Sequence, residues 1–249
     1  MIRTTLAYVF AGVFIFLMTP VALALASLTK NSGVIYSFSR FCIRVSGVIA
    51  GVRVKIKGSE KVPSEGAFVF LANHQGNCDV PALAHALPRD FRGLMKKELM
   101  RLPVLSIIFK RVNFVPVDRR DANQARVAID RGAALLREGF SFLAFPEGTR
   151  SRDGRLGEFK KGVFIMAIKA QKPVVPITIL NSTIIQPPGS YRIRPGVIDV
   201  LFHEPIPTEG MSMEDRDRLI ELTRAAIMQD MQKNPPANQF DCVTWISAD

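Results

Sequence analysis

Seven short strand-like segments alternate with helical patterns between residues 52 and 202, and this alternation constrains the fold more than any other feature of the chain. Several of the segments are continuous apolar runs, which are typical of strands buried on both faces. Alternating strands and helices favour a parallel sheet covered by helices. We therefore predict an α/β fold with a mostly parallel, mixed sheet flanked by helices. Strands are expected at 52–56, 68–71, 91–95, 114–117, 140–145, 174–179 and 197–202, and helices from about 81 and at 98–109, 121–138, 163–170 and 213–231.

The amino-terminal segment is apolar enough to enter a membrane, because residues 4–29 contain no charged side chain. About 20 apolar residues suffice to cross a bilayer. Pro20 interrupts a straight helix, so the segment can form either a kinked span or a hairpin that enters one leaflet. A further alternative is a cleaved signal peptide, because the small residues at 22–27 resemble a cleavage site. Residues 34–52 mix apolar and basic side chains, as an interfacial amphipathic helix does. We predict a membrane anchor at 1–50, an α/β domain at 51–233 and a tail at 234–249.

The formal net charge of +11 is concentrated beside this anchor. Residues 1–117 hold 15 Lys and Arg against 5 Asp and Glu, whereas the remainder holds 18 against 17. Basic residues next to a membrane segment attract anionic lipid. Since no nucleic-acid recognition motif accompanies the charge, we predict a membrane surface as partner and no nucleic acid. Lys30, Arg40 and Arg44 follow the apolar segment and only Arg3 precedes it, which favours a cytoplasmic domain.

A histidine and a carboxylate lie five positions apart directly after the apolar run 67–72, in the sequence Asn-His-Gln-Gly-Asn-Cys-Asp at 73–79. A carboxylate such as Asp79 on one imidazole nitrogen fixes the tautomer, so that the other nitrogen of His74 can accept a proton. The chain has no Gly-x-Ser-x-Gly elbow. The hydroxyl to be activated is therefore expected to belong to the substrate. The alternative is that His74 only satisfies a buried polar site.

A second polar motif, Phe-Pro-Glu-Gly-Thr-Arg-Ser at 145–151, follows the strand-like run 140–145. Polar clusters at the carboxyl ends of two strands are expected to form one site. Arg150 offers a planar fork of donors for a phosphate or carboxylate, Gly148 permits close approach of the backbone, and Thr149 adds a hydroxyl donor. An anionic ligand is therefore predicted. The alternative is a simple turn with a solvated arginine.

Together, the Asn-His motif with four residues before Asp79 and the 145–151 motif resemble the glycerolipid acyltransferase family, typified by bacterial 1-acyl-sn-glycerol-3-phosphate (lysophosphatidic acid) acyltransferases. The resemblance runs from about 52 to about 205 and includes the segments 114–119 and 175–177. It departs from the family at 110–113, Lys-Arg-Val-Asn, where a glycine is common. The resemblance implies transfer of a fatty acyl group from acyl-CoA or acyl-carrier protein to the free sn-2 hydroxyl of 1-acyl-glycerol-3-phosphate, which gives phosphatidic acid. It also implies a bacterial-type inner (cytoplasmic) membrane, with the catalytic domain on the cytoplasmic side.

The same resemblance implies the roles of individual residues. His74 would be the general base and Asp79 its orienting partner. Glu147 is expected to contact a glycerol hydroxyl or Arg119. Lys97 and Lys160 would face the phosphate or the acyl carrier, although a solvated helix start explains both as well. The substrate-binding residues implied are Arg119, Glu147, Gly148, Thr149, Arg150, Lys97 and Lys160; no cofactor or metal is implied, since no ligand cluster is evident.

Several alternatives remain open from the sequence. One alternative acceptor is another lysolipid, such as lyso-ornithine lipid. A lipid thioesterase, the second alternative, would use His74 to activate water. A non-catalytic lipid-binding protein is disfavoured because both motifs are present together. A thiol-nucleophile role for Cys78 is also disfavoured, since Asp79 is the family-like partner of His74. Three cysteines without framework spacing indicate a reducing compartment, and the run 164–168 favours core packing over an acyl groove.

Overall fold

The computed structural model describes residues 1–118, 121–151 and 153–233. Within these ranges the chain forms one seven-stranded sheet with helices on both of its faces. The strands are β1 (Val52–Lys57), β2 (Val69–Ala72), β3 (Phe91–Lys96), β4 (Val115–Val117), β5 (Ser141–Ala144), β6 (Val174–Leu180) and β7 (Gly196–Phe202). The helices are α1 (Ile2–Leu28), α2 (Gly33–Ala50), α3 (Asp79–Ala86), α4 (Pro103–Arg111), α5 (Ala122–Arg137), α6 (Gly162–Ala170), α7 (Ser182–Ile185) and α8 (Arg216–Lys233).

The strand order is β1-β7-β6-β2-β5-β3-β4, and the five strands from β6 to β4 are all parallel. Strand β7 is antiparallel to β6 and β1 is parallel to β7, so these two strands run the opposite way. Consecutive residues of a strand face opposite sides of the sheet. Accordingly, Phe70 packs in the core on one face and Leu71 in the core on the other. The predicted mostly parallel, mixed α/β sheet is confirmed.

The register of β2 and β5 places the two sequence motifs side by side. These strands are direct neighbours, and Leu71 pairs with Ala144. His74 follows Leu71 by three residues, and Glu147 follows Ala144 by three. Because parallel strands end at the same edge of the sheet, both motifs leave the sheet at one level.

The first two helices form a hairpin that lies along the α/β domain. Near the start of α1, the Thr4 hydroxyl lies 3.1 Å from the carbonyl oxygen of Ile193. Near its end, the guanidinium of Arg111 donates to the carbonyl oxygen of Ala26 at 2.6 Å. Both helices are long and apolar enough to cross a membrane by length and composition. Exposed apolar side chains of the hairpin include Ile2, Leu6, Val9, Val13, Phe16, Leu17, Val21, Leu28, Phe41 and Val48.

The helix boundaries differ from the predicted ones where a turn residue intervenes. The helix predicted at 34–52 ends at Ala50, because Gly51 adopts a left-handed conformation (φ 75°) and terminates it. The helix predicted at 98–109 is a 3-10 turn at Lys97–Arg101 followed by α4, which begins at Pro103. Helix α5 agrees with prediction, and the Asp121 carboxylate caps it by accepting from the N–H groups of residues 123 and 124.

Other differences lie at the two ends of the domain. Helix α7 was not predicted, because four residues show no helical periodicity. The last helix begins at Arg216, after a 3-10 turn at Met213–Asp215. Arg119 and the predicted tail at 234–249 lie outside the described residues.

Candidate active site

The side chains of His74 and Asp79 form a hydrogen-bonded pair at the carboxyl end of β2. Nδ1 of His74 lies 2.7 Å from Oδ2 of Asp79. The same oxygen accepts the backbone N–H groups of Gln75 at 2.7 Å and Gly76 at 2.8 Å. Because this oxygen already accepts two N–H groups, it also accepts a hydrogen bond from the imidazole. The imidazole proton is therefore assigned to Nδ1, and Nε2 carries the lone pair. Within the described part of the chain, Nε2 has no hydrogen-bond partner.

A tight turn carries the Asp79 carboxylate back over the preceding loop. Asp79 is the first residue of α3 and is 0% exposed. The carboxylate lies at the amino-terminal end of the helix, where the helix dipole attracts negative charge. Cys78 occupies the cap position of this helix, while the Asp79 carboxylate is engaged by His74 and the loop N–H groups. A Cβ on Gly76 would lie 2.6 Å from the carbonyl oxygen of Ser182, so the turn requires glycine.

The imidazole is fixed from a second side by the ring of Phe145. The two ring centroids are 3.9 Å apart and their planes differ by 17°. Phe145 is the first residue of the second motif and directly follows β5. Phe145 thus stacks on one face of the imidazole and Asp79 engages its Nδ1 edge, so the Nε2 edge is the one without a hydrogen bond among the described residues.

The second motif also binds the main chain of His74. The N–H of His74 donates to Oε1 of Glu147 at 2.7 Å, and the N–H of Ser151 donates to the carbonyl oxygen of His74 at 2.8 Å. The other carboxylate oxygen, Oε2 of Glu147, accepts the N–H of Gly157 at 2.7 Å. Burial raises the pKa of Glu147 above its ordinary value, while these two N–H groups act in the opposite direction. Glu147 therefore joins the loop after β2 to its own loop after β5, and its expected contact with a glycerol hydroxyl or Arg119 stays a prediction.

The other predicted substrate-binding residues lie at the same edge of the sheet. The guanidinium of Arg150 is exposed and donates to Oδ1 of Asn77. Gly148 has a φ of 73° and its N–H donates to the carbonyl oxygen of Phe145, while Thr149 is exposed. The main chain of Lys160 donates to the carbonyl oxygen of Pro146 at 2.7 Å, and its side chain is exposed.

Lys97 and Arg119 are placed differently. Lys97 follows β3, where its ammonium group donates to Oε1 of Gln124 at 2.9 Å. Arg119 follows β4 in sequence but lies outside the described residues. The geometry thus groups Arg150, Gly148, Thr149 and Lys160 around the second motif, whereas Lys97 follows the next strand along the sheet edge, β3.

Sequence reasoning missed two residues of this region, Asn77 and Gln186. The N–H of Asn77 donates to the carbonyl oxygen of Gln186 at 3.0 Å. Asn77 lies within the first motif, which was the only signal available for it. Gln186 follows α7 and belongs to no motif, so only the folded structure reveals its position next to the site.

Cys78 is held as a protonated thiol. Its Sγ lies 3.2 Å from Oε1 of Gln186. Burial, and to a smaller extent the charge of Asp79, raise the pKa of Cys78 to about 11. A catalytic thiol requires the reverse shift, so the structure supports the prediction that Cys78 is not a nucleophile.

A cavity of about 980 Å³ lies between the α1–α2 hairpin and the domain. Asn77 and Arg150 lie along its wall, so it reaches the active-site edge. The run 164–168, which belongs to α6, is instead packed in the hydrophobic core of the domain, as predicted. Phe164 and Met166 are 0% exposed. Most of the apolar lining of the cavity comes from α1, α2, β1 and α3, and β7 adds Ile198; the lining includes Ala7, Ala11, Ile15, Cys42, Val54, Pro81 and Ala82.

Comparison with known proteins places this site in a family. A family model described as Acyltransferase matches residues 53–180, which include both motifs. The chain is 37% identical over 156 residues to 1-acyl-sn-glycerol-3-phosphate acyltransferase LPAT1, chloroplastic, from Arabidopsis thaliana, a match that covers 62% of this chain and 44% of that protein. It is 33% identical over 143 residues to the 1-acyl-sn-glycerol-3-phosphate acyltransferase of Borreliella burgdorferi, covering 57% of each chain.

The fold is shared with a solved structure. The crystal structure of the 1-acyl-sn-glycerophosphate (LPA) acyltransferase PlsC from Thermotoga maritima superimposes with a TM-score of 0.78 at 23% identity, covering 95% of this chain and 99% of that one. The chain spans about half the length of the two sequence relatives described above. Because the family model covers more than half of the chain and includes the His74–Asp79 pair and the 145–151 motif, the protein belongs to the acyltransferase family.

Proposed function

We propose that the protein transfers a fatty acyl group from an acyl thioester to the free sn-2 hydroxyl of 1-acyl-glycerol-3-phosphate. The observation that carries the proposal is the His74–Asp79 pair at 2.7 Å, which lies beside a basic side chain and an apolar cavity. The two sequence relatives described above are named as 1-acyl-sn-glycerol-3-phosphate acyltransferases, which supports the substrate assignment.

In the proposed reaction, Nε2 of His74 accepts the proton of the acceptor hydroxyl while the hydroxyl oxygen attacks the thioester carbonyl. A C–O bond forms and the C–S bond breaks, and the proton held by the imidazolium passes to the departing thiolate. The Asp79 carboxylate stabilises the imidazolium between these two transfers. No acyl-enzyme intermediate is needed. General-base assistance of this kind is worth about 10² to 10⁴ in rate, and placing both reactants together contributes more.

The acceptor phosphate would bind at Arg150, whose fork of donors suits a phosphate. Gly148, Thr149 and Lys160 lie beside it, and Arg119 completes the predicted set. An apolar chain would occupy the cavity next to the hairpin, which offers about 980 Å³. Lys97, at the same edge of the sheet, would face the acyl-CoA or acyl-carrier protein that supplies the acyl group.

The hairpin would hold this site at a membrane surface. Its outer face exposes large apolar side chains such as Phe16, at 79%. Because α1 is bonded to the domain near both ends, it would enter one leaflet lengthwise. We place the domain on the cytoplasmic side of the membrane, where the basic residues after the apolar segment favour it.

The test is turnover by the detergent-solubilised protein and its His74→Ala variant with a palmitoyl thioester and a panel of lysolipids. Phosphatidic acid formed from lysophosphatidic acid by the wild type only, with the variant reduced by about 10² or more at an unchanged melting temperature, is the expected result. Thioester cleavage without acyl transfer would instead assign a thioesterase. Transfer only to another lysolipid, such as lyso-ornithine lipid, would change the acceptor.

A further inference from the structure

A hydrogen-bond network connects α1 to the active-site edge through Gln186, which is 6% exposed. Its Nε2 donates to the Tyr8 hydroxyl at 2.7 Å and to the carbonyl oxygen of Ser190 at 3.0 Å, while its Oε1 accepts from the Cys78 thiol. Because a carbonyl can only accept, Nε2 must face Ser190, which fixes the orientation of the amide. The buried amide of Gln186 thus has partners at both of its ends, which hold it in one orientation.

Asn77 extends this network by one residue. Its backbone N–H donates to the carbonyl oxygen of Gln186 at 3.0 Å. Its Nδ2 lies 3.0 Å from the carbonyl oxygen of Ser190 and 3.3 Å from that of Pro187. Two carbonyl acceptors therefore hold the amino end of this amide, and its Oδ1 must point the other way, toward Arg150.

The fixed oxygen of Asn77 binds the side chain of Arg150. Its guanidinium donates to Oδ1 of Asn77. An exposed arginine has several rotatable bonds and loses conformational entropy when it binds a ligand. One bond to a fixed acceptor removes part of that loss, and among the described residues it engages one of the five guanidinium donors, which leaves four for an anion.

We propose that Asn77, held by Gln186, is a positioning residue that fixes Arg150 for an anionic headgroup. The inference rests on the proposed function, in which Arg150 binds the acceptor phosphate. It also explains why a neutral amide suits this position: a carboxylate there would pair with Arg150 and repel the phosphate.

Asn77→Asp tests the proposal, because it keeps the size of the side chain and adds one negative charge. The KM for lysophosphatidic acid should rise about tenfold or more, while the KM for the thioester and the kcat at saturating acceptor stay within about threefold. Asn77→Ala should raise the acceptor KM by less, since it frees Arg150 without neutralising it. Asn123→Asp, which adds the same charge at an exposed position of α5, is the matched control and should leave every constant unchanged.

Calorimetric titration of the inactive His74→Ala protein with short-chain lysophosphatidic acid measures the same site without turnover. The Kd should rise about tenfold or more when Asn77→Asp is added. A wild type that makes no phosphatidic acid would refute the proposed function, whereas an unchanged KM and Kd in an active Asn77→Asp enzyme would refute the positioning role alone. A fall in kcat at constant KM would also overturn it, because the effect would then act through His74 and Asp79.

Discussion

Replacing Glu147 by Gln should impair both the stability of the protein and the placement of His74. The carboxylate accepts the N–H of His74 with one oxygen and the N–H of Gly157 with the other, each at 2.7 Å. A carboxamide of the same shape has one acceptor oxygen. Its NH2 group would face one of the two N–H donors, so one bond is lost and one buried donor is left without a partner.

The expected loss follows from these contacts. A hydrogen bond to a charged group is worth about 1.5–3 kcal/mol. Burial raises the pKa of Glu147, so removing the charge also relieves a desolvation cost that offsets part of the loss. We expect a net destabilisation of about 1–2 kcal/mol, which lowers the Tm by about 2–8 °C. Displacing a catalytic group by about 1 Å can cost 10²-fold in rate, so kcat should fall about 10- to 100-fold.

The assay compares thermal unfolding and steady-state constants of the wild type, Glu147→Gln and Glu158→Gln. Glu158 is exposed in the same loop and is the matched control. The KM for lysophosphatidic acid should change less than about threefold, because the two hydrogen bonds that the substitution alters are internal to the protein. A large rise in KM at unchanged kcat would refute the role of Glu147 in holding His74 and would assign Glu147 to the acceptor site. Equal Tm and equal kcat would refute it as well.

The pH dependence supplies a second criterion. The folded protein retains the Glu147 proton at pH values where the unfolded chain, with a pKa near 4.5, has released it. The folded state therefore binds more protons in this window, and stability falls as pH rises from about 4.5 through the raised pKa. The stability advantage of the wild type over Glu147→Gln should shrink over that window. An advantage that grows with pH there would contradict the raised pKa.

Two further predictions concern Cys78 and the hairpin. Cys78→Ser should retain activity within about threefold, and wild-type activity should resist iodoacetamide at pH 7.5, because burial raises the thiol pKa to about 11; rapid inactivation would restore the thiol-nucleophile hypothesis. The double substitution Val13→Glu and Phe16→Glu places two charges on the exposed face of α1. Each charge costs about 2.5–3.5 kcal/mol deep in a bilayer, so the protein should shift from membrane to soluble fractions. Val127→Glu, at an exposed position of α5, should leave the distribution unchanged, and equal behaviour of both variants would refute membrane docking through α1.

The sequence by itself determined the sheet and the adjacency of its motifs. Buried strands such as β2 and β5 are largely apolar runs. Such a run identifies a strand even when the positions of its ends are known only to within one or two residues. The pairing of His74 with Asp79 also followed from the sequence, because five residues in a tight turn bring the two side chains together. Local signals of this kind require no knowledge of distant segments.

The tertiary structure alone decided which distant groups complete the site. Glu147 was expected to meet substrate, which stays a prediction, and the structure adds partners that the sequence could not indicate: the N–H groups of His74 and Gly157, of a kind that every residue except proline carries. For the same reason Gln186, 109 positions beyond Asn77, could not be recognised from its type or spacing. The course of α1 along the domain likewise depends on single contacts at Thr4 and Ala26. Hydrophobic periodicity encodes burial within an element, whereas the hydrogen bonds that join loops depend on positions that only the packed sheet and helices establish.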